Sequence, residues 1–538
     1  MRWAAAAAVL SMCSAGCAGA GGGAASPSSS VGLRIAQQWE PQSLNPALEN
    51  GTSAAEWGQL LFSYLLNYDG EGRLVGDAAI AVPTPSNGGI SRDGLTITYH
   101  LRSGIRFADG VPLTARDCVW SVQAIQNPRN LVQSRFAYDV VARADAPDDR
   151  TLVLHLKKRF PPAESVVMAP QGFPILPRHL LAQYSDFNRI PFDAKPIGSG
   201  PYVVDSWQRG DRVVMHPNPY FFKGVPSIKK LQIQFVPDPQ SAINLLQTHE
   251  IQGFENDQDV SNYAFLKTIP GYSVTATPED AVGSIILNTQ SALTSDPRVR
   301  TALARAVDVR TLVEKSYRGA VDARDAGRGL FLWAYDPAAY PAIPYDPASA
   351  RRLLDEAGWR LGTGGIRERN GVALRPLLII QAGTPIDAIA ANLIAQYERA
   401  VGVDVAIKQF NVTQLVAPAS EGGPVYGGKF QMAYYDFENG ADPDTTDQFA
   451  CRNVPPNGYN KSRLCDPVVD SLLEDGLRTY DRSARKAAYA LLQRRIYADM
   501  PLALLFQRRQ INAFSTRIRG IRISPWGPFW NVQTWRIQ

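Results

Sequence analysis

Short stretches of alternating apolar and polar residues recur along the chain, and they constrain its fold more than any other feature. Residues 96–101, 151–156 and 231–236 each alternate in this way and are rich in β-forming residues. A period of two places every second side chain on the same face of a sheet. These segments therefore predict strands, and Leu33–Gln37 is predicted to form the strand that opens the folded body.

Helix start signals lie between these strands. Asp296 and Asp346 each precede a proline, which pairs a capping residue with the residue preferred at the first helical position. A longer amphipathic stretch covers about 481–499 and is followed by Pro501. Since strand and helix signals are mixed along the whole chain, we expect an α/β protein.

Composition limits the class of protein further. The chain has 538 residues, enough for about three or four domains. It is 45% hydrophobic and 20% charged, so it can bury a core and is not a disordered chain. The formal net charge of +5, spread over this length, is not typical of a nucleic-acid-binding protein.

The first thirty residues are typical of an exported protein. Arg2 and a short apolar stretch at 4–10 form an export signal, too short to span a bilayer, which takes about 20 apolar residues. Small residues precede Cys17, which resembles a bacterial lipobox. We therefore predict a lipoprotein signal peptide at 1–17, lipidation of Cys17 and a flexible tether at 18–30. Lipidation of Cys13, or an ordinary secretory signal, is the alternative.

Catalytic and cofactor motifs are absent from the sequence. Residues 423–430 approach a phosphate-binding loop, but Phe430 replaces the required Ser or Thr. There is no Gly-x-Ser-x-Gly or His-Glu-x-x-His motif, and the five histidines are scattered. We therefore predict neither enzymatic activity nor a cofactor or metal site, and keep a secreted hydrolase with unmarked carboxylates as a remote alternative.

The cysteines beyond the export signal have different predicted fates. Cys451 and Cys465 are fourteen residues apart in a segment rich in Pro, Gly and Asn. In an oxidising compartment this spacing favours a disulfide that closes a loop. Cys118 then remains as a thiol that we expect to be buried.

Five segments, taken in order, resemble one known family. They are 40–46, with the sequence EPQSLNP; 101–117, with LRSGIRFADGVPLTARD; 198–202 followed by 218–221; 288–289 followed by 296–303; and 345–347 continuing through 353–358.

The family that these segments resemble is family 5 of the solute-binding proteins of ABC importers, the peptide and nickel class. The resemblance implies two lobes around a cleft, the periplasmic-binding-protein fold of cluster C type, with an extra domain inserted in lobe I. By resemblance, lobe I would comprise 31–75, 195–283 and 500–538. The extra domain would cover 76–194 and lobe II 284–499.

The resemblance also implies a function. Such proteins capture a solute between the lobes, close by hinge motion and deliver it to an ABC permease. Here we expect a monomeric, lipid-anchored, extracytoplasmic receptor for di- to oligopeptides. The same fold binding a metal chelate, haem or an oligosaccharide is the alternative.

The binding residues are predicted by carrying the family pattern over to this chain. In peptide-binding relatives an acid for the peptide amino end lies three residues before the position of Asp442, where this chain has Asn439. The candidates for that role are Glu438 and Asp436. The further cleft candidates are Asn439 itself, Tyr435, Asn50, Gly51 and Trp333.

Overall fold

The computed structural model describes residues 32–538, apart from 50, 133, 258, 325 and 439, and only the backbone at 51, 52, 256, 257, 280 and 438. The predicted signal peptide, the tether and Cys17 therefore lie outside the described residues. In the part that is described, no helix is long and apolar enough to cross a membrane.

The strands carry most of the architecture. In chain order they are β1 (Leu33–Gln37), β2 (Leu66–Tyr68), β3 (Leu74–Gly76), β4 (Thr96–His100), β5 (Val141–Asp148), β6 (Thr151–Leu156), β7 (Tyr202–Gln208), β8 (Arg212–Pro217), β9 (Leu231–Phe235), β10 (Gly253–Asp257), β11 (Tyr272–Leu287), β12 (Arg360–Leu361), β13 (Arg367–Arg369), β14 (Val372–Ala373), β15 (Leu377–Gln381), β16 (Ala406–Phe410), β17 (Met432–Glu438), β18 (Leu502–Ser515), β19 (Ile518–Arg519) and β20 (Arg536–Ile537).

The α-helices cover the faces of the sheets. They are α1 (Gly51–Leu61), α2 (Ala115–Gln126), α3 (Ala163–Val166), α4 (Arg178–Leu181), α5 (Pro239–Gln247), α6 (Tyr263–Leu266), α7 (Pro297–Ala306), α8 (Val309–Tyr317), α9 (Arg328–Phe331), α10 (Pro347–Glu356), α11 (Pro385–Ala400), α12 (Val412–Leu415), α13 (Thr446–Phe449), α14 (Pro467–Gly476) and α15 (Arg482–Asp499).

One large mixed sheet runs through the molecule. Among the described residues it has ten strands in the order β16-β15-β17-β11-β18-β10-β1-β9-β8-β7. The predicted strand β1 pairs in parallel with β9 and with β10, and its side chains Leu33 and Ile35 are fully buried. The predictions of β1 and β9 as strands are thereby confirmed. Both strands have the apolar content that a buried central strand needs.

Two long strands join the two halves of this sheet. Strands β11 and β18 pair in antiparallel fashion along most of their lengths, and the register shifts between Pro278 and Val282 and again after Gly283. A Cβ at Gly283 would lie 2.1 Å from the ring of Phe506, so a side chain at this position would occupy the space that the ring fills over β11. Bulges of this kind bend a strand.

The helix start signals are confirmed. The side chain of Asp296 accepts a hydrogen bond from the amide of Arg298 at the start of α7, and Asp346 accepts one from Ser349 at α10. Asp481 caps α15 in the same way, accepting from Ala484 at 2.7 Å. Each carboxylate satisfies a backbone N–H that the first helical turn leaves unpaired.

A second, smaller sheet lies in the region 96–156. It has the order β4-β6-β5. The strands predicted at 96–101 and 151–156 are confirmed, and the structure shows that they are direct neighbours. Helix α2 packs on it, and the Thr114 amide donates to the Asp117 carboxylate at 2.8 Å. The Cys118 thiol on α2 is buried, as expected.

Candidate functional site

Residues 434–444 form the candidate binding segment, which we call the binding loop. Its first part, up to Glu438, lies in β17, and the rest follows the end of that strand. This strand pairs with β11, which places Tyr435 opposite Ser284 and Asp436 opposite Gly283. The Ser284 hydroxyl donates to the Tyr435 carbonyl at 2.8 Å. Asp436 therefore lies next to the shift in register between β11 and β18.

A cavity of about 510 Å³ opens beside these residues. Its described lining combines aromatic rings with charged groups, and we name it the acidic pocket. It is lined by Gln381, Asp387, Tyr426, Tyr434, Tyr435, Asp436, Phe437, Asp447, Gln448, Tyr459, Lys461 and Arg508.

The charges of the acidic pocket do not balance. Its described lining has three aspartates against Lys461 and Arg508, a formal charge of −1. Arg508 is shared, because its guanidinium lies 3.4 Å from Asp436 and 3.4 Å from Glu279 on β11. The Lys461 ammonium lies 4.0 Å from the centroid of the Tyr435 ring, which holds it against the pocket wall. When all three aspartates are ionised, the pocket therefore favours an added positive charge.

Asp387 at the start of α11 is the second carboxyl group of this pocket. Burial raises the pKa of Asp387 to about 7, and the neighbouring Asp436 adds to the shift while Arg508 opposes it. Two neighbouring carboxylates repel each other, so the second of them ionises less easily. Asp387 therefore changes its charge near neutral pH.

Asp442, farther along the loop, is committed to a structural ion pair. Its two oxygens accept from Arg485 of α15 at 2.7 and 2.5 Å, in a bidentate arrangement. The two side chains are only 3% and 8% exposed. Arg485 also donates to the Gly476 carbonyl and to the Tyr489 hydroxyl. Asp442 thus fixes the loop to α15.

A second cavity, of about 730 Å³, lies beside Asp442. Trp333 forms part of its wall, and the guanidinium of Arg482 lies over the Trp333 ring at 4.3 Å from the centroid. We name it the arginine-lined cavity. It is lined by Tyr68, Gly72, Leu74, Val82, Thr84, Pro85, Ser86, Ser91, Arg92, Gly94, Arg159, Glu164, Ser165, Trp333, Ala441, Asp442, Arg478, Thr479, Tyr480, Asp481, Arg482 and Arg485.

A few hydrogen bonds cross between the region 76–194 and the later part of the chain. The Ala441 amide donates to the Gln171 side chain. Arg159 donates to the Arg478 carbonyl at 3.1 Å, and the Tyr480 hydroxyl donates to the Gly94 carbonyl at 3.2 Å. A smaller cavity of about 330 Å³ lies at the Gln171 contact. The two regions therefore enclose cavities between them.

Cys451 and Cys465 form a disulfide just after the binding loop. The Cys451 amide donates to Asp470 of α14 at 2.9 Å, which joins the bridged segment to the next helix. In the described part of the chain, no group of three His, Cys, Asp or Glu residues is arranged to hold a metal ion.

Comparison with known proteins decides the family. The sequence profile of the bacterial extracellular solute-binding proteins, family 5 (middle region), matches residues 82–461. The chain belongs to this family. Among curated relatives, Protein XP55 of Streptomyces lividans is 29% identical, over 86% of this chain and 80% of its own. The glutathione-binding protein GsiB of Pectobacterium atrosepticum is 26% identical over 90% of both chains.

Solved structures show the fold. The substrate-binding protein CtaP of Listeria monocytogenes superposes with a TM-score of 0.81, at 20% identity, over 94% of this chain and 99% of its own. NikZ of Campylobacter jejuni, in complex with Ni(L-His), gives a TM-score of 0.75 at 24% identity over 94% and 99%. The predicted two-lobed periplasmic-binding-protein fold is thereby confirmed.

The structure distributes the predicted family 5 site residues over two cavities. Tyr435 and Asp436 line the acidic pocket, whereas Trp333 lines the arginine-lined cavity. Gly51 begins α1. Asn50 and Asn439 lie outside the described residues, as does the side chain of Glu438.

Several residues of these cavities were missed by sequence reasoning. Asp387, Arg508, Glu164 and Arg482 belong to no motif, and each is brought to its cavity by packing between distant segments. The one available signal was the capping Asp481, which marks the start of α15 and hence the position of Arg482.

Proposed function

We propose that this chain is a lipid-anchored, extracytoplasmic receptor that captures peptides between its lobes and delivers them to an ABC permease. The anchor would be Cys17, followed by the tether 18–30. Family membership supports the transport role, and relatives named as peptide-binding proteins of ABC transporters support the peptide ligand; one from Brucella ovis is 26% identical over 88% of this chain.

The proposed division into lobes follows the family pattern. Lobe I comprises 31–75, 195–283 and 500–538, the extra domain 76–194, and lobe II 284–499. The register shifts of β11 and β18 near Gly283 support a hinge there. Since hydrogen bonds such as that from the Ala441 amide to the Gln171 side chain join the extra domain to lobe II, hinge opening would break them. A ligand that contacts both sides stabilises the closed form, because only that form offers all its contacts.

The formal charge of the acidic pocket is the observation that carries the peptide assignment. A peptide amino end is cationic, and its transfer out of water without an acidic partner costs several kcal/mol. Asp436 is the proposed partner, with Glu438 and Asn439 next to it in the loop and Tyr435 as an adjoining wall. Asn50, Gly51 and Trp333 are the further proposed contacts. The peptide backbone would be held like an added strand.

A thermal-shift screen of the mature chain with pools of di- to oligopeptides tests this function. A ligand that binds only the folded state stabilises it by about 2.7 kcal/mol at about 100 times its Kd. Absence of a shift with any pool would reject the peptide assignment, and a shift with a metal chelate, haem or an oligosaccharide would replace it. Turnover of the added ligand would indicate an enzyme.

The role of Asp436 is tested with one variant and two ligands. Asp436→Asn should weaken binding of a peptide with a free amino end about tenfold or more, because a charge-assisted hydrogen bond is lost. The N-acetylated form of the same peptide should bind to Asp436→Asn and to the wild type with equal affinity. Glu474→Gln, an exposed acid on α14, is the matched control. Equal affinities of the variant and the wild type would remove Asp436 from the site.

The anchor is tested separately. Cys17→Ser should release the protein from the membrane fraction, whereas Cys13→Ser should leave it there. The reverse result would assign lipidation to Cys13, and retention of both variants would indicate that no lipid at these positions holds the protein.

A further inference from the structure

Two glutamates face each other inside the fold, and neither belongs to the lining of the cavities described above. Glu56 lies on α1 and Glu255 on β10, and the two residues are 1% and 0% exposed. Their carboxyl groups are in hydrogen-bond contact with each other. We name them the glutamate pair. Because a buried charge is normally compensated by an opposite charge, the protonation state of this pair has to be explained.

The packing of α1 on the large sheet brings the glutamate pair together. Strands β1 and β10 are parallel, with Ile35 opposite Gly253. Gln37 and Glu255 each lie two residues farther along their strands, so their side chains are on the same face of the sheet. The Gln37 amide donates to Oε2 of Glu56 at 2.9 Å. The Glu56 carboxyl group therefore contacts both strands, β1 through Gln37 and β10 through Glu255.

No basic group compensates the glutamate pair. Apart from the contact within the pair, Oε1 of Glu56 and both oxygens of Glu255 have no hydrogen-bond partner among the described residues. The backbone of Gly527 covers another side, since a Cβ there would lie 3.2 Å from Oε1 of Glu56. The further charged group that acts on Glu56 is Glu279 of β11, which is also an acid and has Arg508 at 3.4 Å. The surroundings therefore disfavour two negative charges in the pair.

A single proton resolves the repulsion. Burial raises the pKa of both carboxyl groups. Their mutual contact raises the pKa of Glu56 further and opposes the rise at Glu255, as expected when Glu56 donates and Glu255 accepts. One proton held between two carboxyl groups turns a repulsive contact into a charge-assisted hydrogen bond. That hydrogen bond joins α1 to β10.

We propose that Glu56 and Glu255 share one proton, and that this proton holds α1 on the sheet, so that the helix loosens when the proton is lost at higher pH. The folded state keeps a proton that the unfolded state releases above about pH 4.3, so stability falls as pH rises. The inference does not depend on the identity of the ligand. Since α1 begins at Gly51, a proposed ligand contact, loosening would also weaken binding, and only this consequence rests on the proposed function.

Urea unfolding of the mature chain between pH 7 and 8.5 counts the proton. The slope of the unfolding free energy against pH gives the number of protons that folding takes up. The wild type should take up about one proton more than Glu56→Gln, because the glutamine amide donates to Glu255 without titrating. Glu474→Gln, in which an exposed acid on α14 is replaced, is the control and should give the proton count of the wild type.

A second variant separates a shared proton from simple filling of space. Glu56→Met has a side chain of similar length that cannot donate a hydrogen bond. It leaves Glu255 buried without a donor on α1, so it should be less stable than Glu56→Gln, and the difference should grow as pH rises and Glu255 ionises. If Glu56 only filled space, methionine would be at least as stable as glutamine at this buried position.

Hydrogen exchange measures the hold on α1, with α15 as a reference in the same molecule. In the wild type, the protection of the α1 amides should fall relative to α15 from pH 7 to 8.5, and in Glu56→Gln it should stay constant. Equal proton counts in the wild type and Glu56→Gln, or Glu56→Met at least as stable as Glu56→Gln, would overturn the shared proton. Constant protection of α1 in the wild type would overturn its role in holding the helix. The proton count decides the matter even if Glu56→Met does not fold.

Discussion

The buried ion pair between Asp442 and Arg485 should be a major determinant of stability. It joins the binding loop to α15 through two short hydrogen bonds, and almost no water reaches it, since the side chains are 8% and 3% exposed. Replacing Arg485 by Met leaves the Asp442 carboxylate buried without its partner. It also removes the donors to the Gly476 carbonyl and the Tyr489 hydroxyl.

The expected magnitude follows from this geometry. Removal of one partner of a buried ion pair costs about 3–5 kcal/mol, because the remaining charge stays in a poorly solvated site. The near-complete burial means that solvent screening does not reduce this value. By contrast, the pair of Arg478 and Asp475 is 68% and 36% exposed, and its loss in Arg478→Met should cost less than about 1 kcal/mol.

Urea unfolding of Arg485→Met, Asp442→Asn and the double variant measures the unfolding free energy that each variant loses and the coupling between the two residues. Each single variant should lose about 3–5 kcal/mol of unfolding free energy at an unchanged m-value. The double variant should lose less than the sum by at least about 1 kcal/mol, since residues in contact couple. A single loss below about 1 kcal/mol, or strict additivity of the two losses, would refute the reasoning.

Three further predictions concern buried titratable groups. Glu398 is fully buried, burial raises its pKa, and within the described residues neither of its oxygens has a hydrogen-bond partner. The folded state therefore holds the proton more tightly than the unfolded state, so stability should fall as pH rises above about 4.3, the ordinary pKa of Glu. Glu398→Gln should flatten that slope in melting curves between pH 5 and 8, and an unchanged slope would contradict this. Asp387, which faces Asp436 and Arg508, gains its negative charge between pH 6 and 8, so the affinity for a cationic ligand should rise over that range. Asp387→Asn should flatten this rise. If titration calorimetry gives the same pH profile for the variant and the wild type, Asp387 is not part of the site. The buried Cys118, whose pKa burial raises, should react with iodoacetamide only after unfolding, and mass spectrometry of native protein labelled at Cys118 would show the opposite.

Local signals in the sequence were enough for the elements. The alternation in 96–101 and 151–156 predicted β4 and β6, and the capping aspartates 296 and 346 predicted the starts of α7 and α10. These signals succeed because they act between residues a few positions apart. The resemblance of segments such as 101–117 to a known family then identified the fold, which the structural comparison confirms.

The binding site could be predicted only in part. Tyr435 and Asp436 were proposed because their segment follows a family pattern, and both line the acidic pocket. Trp333, proposed for the same cleft, lines the arginine-lined cavity and lies under Arg482. No periodicity or spacing relates Trp333 to Arg482, because their contact depends on how α15 packs against the segment at 332–334.

The sequence by itself therefore determined the kinds of elements, their caps and the family, because these depend on local backbone preferences and on side chains close together in the chain. Only the tertiary structure decided how the charges are shared. Asp442 is paired with Arg485, Arg508 lies near both Asp436 and Glu279, and Arg482 lies over the Trp333 ring. Each of these outcomes depends on which of several nearby groups comes within hydrogen-bond distance and on how much water remains there, and packing alone fixes both.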